Sequence, residues 1–312
     1  MANRETPPQV TASETRDRIS DVEKVVFDLL VPTHKANAIK PKDFKERYSA
    51  EEIERDLASV ERKKSKFLRE NPERKKRADI LEAILSEQIE LSNWFGENVL
   101  TIVPSEYDNF FYAADMAAEF EQEGEFQYLT LGIDITSSPG SVEKKIRKIK
   151  EGIRIGRLTE IKYFSSERNP SPDFPGPLRQ LPNVIIGVDQ RTIIELSEIW
   201  LQIFKAREMK NKERDPKIQS LYATDTKTAK DRLAHHRVQL LILRELEIQL
   251  ETFANFANEA KQPDIAKKYQ DLLKLIRDIL KTKSISKDSE KTNVADDVYA
   301  AIETCMENFD SL

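Results

Sequence analysis

The chain is poor in the residues that most often announce a chemistry. One cysteine, Cys305, stands among 312 residues, which excludes an internal disulfide framework and a cysteine-based zinc site and fits a reducing cytoplasm. Cys305 itself reads as a core thiol. Of the three histidines, His34, His235 and His236, the adjacent pair would point to two sides of a helix, so an imidazole zinc site is not expected. The eight glycines form no G-x-S-x-G elbow, no P-loop and no G-x-G-x-x-G turn. Enzymes of nucleoside triphosphates or dinucleotides built on those motifs are therefore not expected. No run approaches the roughly 20 apolar residues of a membrane span, and the N-terminus has no apolar signal region. A cytoplasmic protein without a membrane partner is the expectation. No fixed-period repeat is present, so a solenoid is not expected.

Charge is what the chain has in abundance. Fifty basic and fifty-five acidic side chains leave a net charge of -5, but the signs are segregated. Residues 62–77 (RKKSKFLRENPERKKR) are strongly positive and residues 144–168 hold a second basic cluster, while the acidic excess lies elsewhere, including the C-terminal tail. Clustered Lys and Arg neutralise phosphates and release counterions, which is the usual source of nucleic-acid affinity. Lys63, Lys64, Lys75, Lys76, Lys145 and Lys148 are thus candidate contacts to a nucleic-acid backbone. A solvated helix face is the alternative for either run taken alone.

Periodicity divides the chain into four regions. Residues 1–17 are polar and read as disordered. Residues 18–72 read as helical: one helix over 19–30 that Pro32 ends, and another over 49–70 that Ser49 and Glu52 open as a capping box. Residues 73–212 form an α/β region. It begins with a helix over 73–95, with Gly96 as its C-cap, followed by strands over 99–103, 116–120 and 128–136. A turn at 137–140 leads into a helix, then a strand at 158–164, a loop at 169–182, a strand at 183–188 and a helix at 192–210. Residues 213–312 read as all-helical: an antiparallel hairpin of 224–261 and 264–281, a polar linker, and a last helix over 294–309. Such a hairpin suits a second copy of the chain or a protein partner.

Two of the strands carry an aspartate where an apolar side chain is the norm: Asp115 in AADMAAEF and Asp134 in GIDIT. Carboxylates held together on a sheet are how proteins build a magnesium site, although turn capping is the commoner role of either alone. On the preceding helix, at about 100° per residue, Ile80, Ile84, Leu91, Trp94 and Phe95 define one face. Glu87 falls inside that arc, whereas Glu82 and Glu90 point away. An ionised Glu on a core face is costly unless paired or metal-bound, so Glu87 is the third candidate ligand. Asp108, in the polar patch after Pro104, is a further one.

The order helix, strand, strand, strand, helix, strand over residues 73–164, with its carboxylates, resembles the core of the PD-(D/E)XK, or restriction-endonuclease-like, nuclease superfamily. The resemblance implies an α/β (or α+β) fold, a mixed sheet flanked by helices, with the N-terminal helices and a C-terminal all-α hairpin domain appended. It implies a metal-dependent nuclease using Mg²⁺ or Mn²⁺, with Glu87, Asp115 and Asp134 as ligands beside a backbone carbonyl near Ile135. The family places a Lys two residues after the strand-three acid, and here that position is Thr136. Some members move the Lys onto the following helix, which offers Lys144, Lys145 and Lys148, and Lys144 is the one assigned the catalytic role. Three readings stay open: an intact nuclease, a nuclease-like core kept for nucleic-acid binding, and a non-catalytic scaffold or adaptor that docks proteins through its hairpin.

Overall fold

The computed structural model describes residues 18–67, 72–121, 128–166, 176–283 and 296–312. Its helices are α1 (Asp21–Ala36), α2 (Ala50–Phe67), α3 (Pro72–Ser92), α4 (Glu106–Tyr112), α5 (Pro139–Arg154), α6 (Gln190–Lys212), α7 (Pro216–Ala234), α8 (Val238–Glu259), α9 (Pro263–Thr282) and α10 (Asp297–Glu307). Its strands are β1 (Val99–Ile102), β2 (Met116–Glu121), β3 (Tyr128–Thr136), β4 (Thr159–Phe164), β5 (Gly176–Leu181) and β6 (Asn183–Gly187). The fold is mixed α/β. β1, β2, β3 and β6 form one sheet in that order, while β4 and β5 form a separate antiparallel hairpin. β1–β2 and β2–β3 are antiparallel; β3–β6 is parallel, with Asp134 opposite Ile185.

The parallel pair needs a crossover. It starts with α5, whose Val142, Ile146, Ile149 and Ile153 are buried at helical spacing. The β4–β5 hairpin is then inserted before the chain returns as β6, so the strand that joins the sheet after α5 is 183–187 and not the one near 158–164. β3, paired on both sides, buries Leu131, Ile133 and Ile135 within the main apolar cluster. At Gly187 any Cβ would stand 2.5 Å from the Thr136 carbonyl oxygen, so only glycine lets β6 close on β3 at that rung.

The helices cover the sheet and share its core. Leu246, Leu250 and Phe253 of α8, and Tyr269 and Ile276 of α9, lie in the same cluster as Ile133 and Val184. α8 also closes the outer edge of β6. The Gln249 amide accepts the Ile185 N–H at 2.8 Å and donates to the Ile185 carbonyl at 2.7 Å. One rung further, Glu245 accepts the Gly187 N–H at 3.2 Å. Among the described residues no helix is long and apolar enough to cross a membrane.

Several local expectations change. α1 continues past Pro32 for another turn, and that turn carries His34 and Lys35 toward α3. The long helix expected over 224–261 is two helices broken at 235–237, because Trp94 Nε1 and Gln239 Nε2 take the Ala234 carbonyl at 3.2 and 3.1 Å and let α7 end there. The stretch expected to be a loop at 169–182 contains β5, a two-stranded edge where Pro177 and the flanking Pro182 are tolerated. The expected disordered 1–17, and parts of the expected helix end at 68–70, of the 169–182 loop and of the 282–293 linker, lie outside the described residues.

Candidate functional site

Asp115 stands one residue before β2. Its backbone N–H donates to the Ile133 carbonyl at 2.9 Å, which continues the β2–β3 ladder and aligns it with the end of β3. Its carboxylate then accepts the Ile135 N–H at 2.7 Å and the Asn109 amide at 2.7 Å. Asp134, 8% exposed, lies beside it on β3. From the second turn of α5, the Lys145 ammonium reaches back to bind the Asp134 carboxylate and the Ile135 carbonyl, the latter at 3.0 Å. Burial pushes the Asp134 carboxyl up to about 7; the Asp115 charge adds to that and Lys145 opposes it. Two aspartates and a lysine thus meet at the C-terminal end of a central strand.

Glu82 of α3 comes next. Its carboxylate is buried and pairs with His34 Nε2 of α1 at 3.0 Å. Burial raises it to about 7, against the His34 contact, with the charges of Asp115 and Asp79 pushing the same way as burial. Asp79, one turn earlier, binds Lys35 at 2.7 Å and Lys75 at 3.2 Å. Burial alone would lower the Lys75 ammonium, yet it is raised, because Asp79, Asp115 and Glu82 surround it. The result is an acidic nest of Asp79, Glu82, Asp115 and Asp134, bordered by Lys35, Lys75 and Lys145.

The sequence candidates divide accordingly. Asp115 and Asp134 come together. Glu87 does not join them: it accepts the Trp200 indole N–H at 2.8 Å on the side of α6. Helical phase does not bring Glu87 to the aspartates because α3 has no single core face. From Ile80 to Leu85 every residue is buried, Glu82 included, while Leu91, used to define the face, is 68% exposed. The signal for Glu82 was present as one acid inside the unbroken apolar run Ile80-Leu81-Glu82-Ala83-Ile84-Leu85. Lys144 is exposed, and Lys145, flanking the buried stripe of Val142, Ile146 and Ile149, is the lysine that reaches the strand. Thr136 turns its hydroxyl to the start of α5, accepting the Ser138 N–H at 3.2 Å and bonding the Ser141 hydroxyl at 2.7 Å.

Asp108 stands in another network. Fully buried, it accepts the Lys162 and Tyr163 N–H groups at 2.6 and 3.2 Å and the Ser105 hydroxyl at 2.6 Å, fastening α4 to β4. Burial raises it to about 6. Of the basic candidates, Lys64 pairs with Glu106 at 2.6 Å and Lys76 lies 5.8 Å from the Phe27 ring centre. Lys63 donates to the Phe110 carbonyl at 2.6 Å and sits 3.8 Å over the Phe111 ring. Lys148 is exposed on α5, close enough for its charge to act on Lys63.

Among the described residues no three His, Cys, Asp or Glu side chains stand around one ion position. The donor chemistry is nonetheless that of a hard cation, since crowded carboxylates beside a backbone carbonyl are oxygen ligands for Mg²⁺ or Mn²⁺. A divalent ion would also stabilise the ionised form of Asp134, which burial disfavours.

No family model, no curated protein and no solved structure matches this chain.

Proposed function

We propose that this protein hydrolyses nucleic-acid phosphodiesters with a divalent metal, on a restriction-endonuclease-like core whose lysine has moved from strand three to α5. The contact that carries the reading is Lys145 on both the Asp134 carboxylate and the Ile135 carbonyl. It supplies, from the helix, the positive charge that Thr136 does not. The element order supports the same reading once β4 and β5 are set aside as an insertion.

Asp115, Asp134 and the Ile135 carbonyl would hold Mg²⁺ or Mn²⁺ once the Lys145 ammonium, which bonds the last two, gives way, with Glu82 replacing Glu87 as the helix carboxylate next to them. When bound, the ion supplies Lewis acidity and lowers the pKa of a coordinated water. The remaining work falls to the side chains. Lys145 orients a water or a non-bridging phosphate oxygen and offsets charge that develops there. His34 keeps the Glu82 carboxylate in one orientation.

The test is incubation of purified protein with labelled single- and double-stranded DNA and RNA in Mg²⁺ or Mn²⁺. Wild type should cut, and Asp134→Ala, Lys145→Ala and Glu82→Gln should each lose about 100-fold or more, the size of a missing electrostatic stabiliser. Glu87→Gln should cut normally. Cleavage that persists in Asp134→Ala would rule the site out. The same Lys145–Asp134 ion pair, which already neutralises the acid, favours as a second reading a core that binds nucleic acid without cutting it.

A further inference from the structure

Resting on that reading of Asp134 and Lys145, we propose that the cleft beside them takes one unpaired nucleotide next to the scissile phosphate, which makes single-stranded nucleic acid the substrate class. The cleft measures about 320 Å³ and has Asp134 and Lys145 in its wall. That is the low end of the roughly 300–1,000 Å³ range of small-ligand pockets, room for one nucleotide and not for a duplex. Paired bases present only their edges in the grooves. A base enters such a space unpaired, or flipped from a duplex at a cost of a few kcal/mol.

The lining suits the parts of a nucleotide. Lys145, Lys148 and Arg157 offer cations for phosphates, while Phe111, Ile155 and Leu158 offer apolar surface for a base or sugar. At Phe111 the rim is crowded with positive charge, because Lys63 lies over that ring and feels the charge of Lys148. A phosphate bound there would relieve the repulsion. Glu151 and Glu160 also border the cleft. Glu151 is paired with Arg154, and the two carboxylates disfavour a run of phosphates inside it.

Fluorescence anisotropy in EDTA tests this without cleavage. The probes are a fluorescein-labelled oligothymidylate of about twelve nucleotides, within the site sizes usual for single-strand binders, and a duplex of the same length. The single strand should bind wild type at least about tenfold tighter than the duplex, since the duplex must first free a base. Lys148→Ala should reduce the slope of log affinity against log salt by about 0.7, the single-strand increment for one phosphate contact. Ile155→Trp fills the cleft from a position that is 59% exposed, so the fold tolerates it. It should abolish the preference and leave the salt slope unchanged. Equal or tighter duplex binding, or an unchanged preference in Ile155→Trp, would overturn the cleft. If Mg²⁺-dependent cleavage is absent while the preference and its loss in Ile155→Trp persist, the nuclease reading falls and the nucleotide cleft stands. If cleavage requires Asp134 but duplex binds as well as single strand, the cleft falls and the nuclease reading stands.

Discussion

Replacing Asp134 by Asn should flatten much of the loss of stability that the wild-type protein undergoes in EDTA between about pH 4 and pH 7, the window set by its ordinary and folded acidities. The carboxyl rises from its ordinary 3.8 to about 7 in the folded chain, chiefly because it is buried and secondarily because Asp115 stands beside it. Between those values the native state holds a proton that the unfolded chain has released. Stability therefore falls as pH rises. About three pH units at about 1.4 kcal/mol each make the loss about 4 kcal/mol for this group. Asn has no proton to lose, so the variant keeps only the share of the fall that Glu82, also raised to about 7, contributes over its own interval. Urea unfolding at a series of pH values measures both curves. A divalent ion binds the deprotonated carboxylates, so near pH 7.5 Mg²⁺ at about 100 times its Kd should restore about 2.7 kcal/mol to wild type and nothing to Asp134→Asn. Parallel pH curves for the two proteins, or equal stabilisation by Mg²⁺, would refute the reasoning.

Two further outcomes follow from buried acids. His34→Ala removes the side chain that, among the described residues, hydrogen-bonds Glu82 and should cost about 2 kcal/mol in urea unfolding near pH 7.5, the order expected when a buried acceptor loses its partner; a change under a few tenths would mean that α1 does not support the site. Glu245, wholly buried with one carboxylate oxygen unpartnered among the described residues, has its carboxyl raised well above the ordinary range by burial. Wild-type stability should thus fall as pH rises through that folded value, and Glu245→Gln, which needs no proton, should gain on it in thermal unfolding from pH 5 to pH 9. A constant difference across that range would count against a protonated Glu245.

The parts of the fold legible in the sequence were those that local pattern controls. β3 is legible to the residue, because Tyr128–Thr136 is a β-branched and apolar run bounded by turn residues, and Asp115 and Asp134 stand out because each interrupts such a run. Glu82 escaped because amphipathic phase carries information only for a helix with one wet side, and α3 is enclosed by α1, α6 and the sheet. Lys145 is distinguished from Lys144 by its place beside the buried stripe on α5. The contacts that finish the site were not readable. His34–Glu82 and Lys35–Asp79 join residues 48 and 44 apart in sequence, and no local pattern encodes which distant acid a helix end will meet. The order of strands is hidden in the same way, since nothing in β4 or β5 marks them as a hairpin apart from the four-stranded sheet.

The pairing of Gln249 with Ile185 has a bearing on what can join this protein. A side-chain amide there imitates a neighbouring strand, giving and taking the same two bonds that another backbone would. With Glu245 on the next rung, the outward ladder of β6 is already filled from within. A peptide seeking to extend the sheet on that side finds no vacancy, so recruitment by strand addition is closed there. Any companion at that face must be recognised through side chains on the outside of the helices, which makes α8 a gatekeeper as well as a wall.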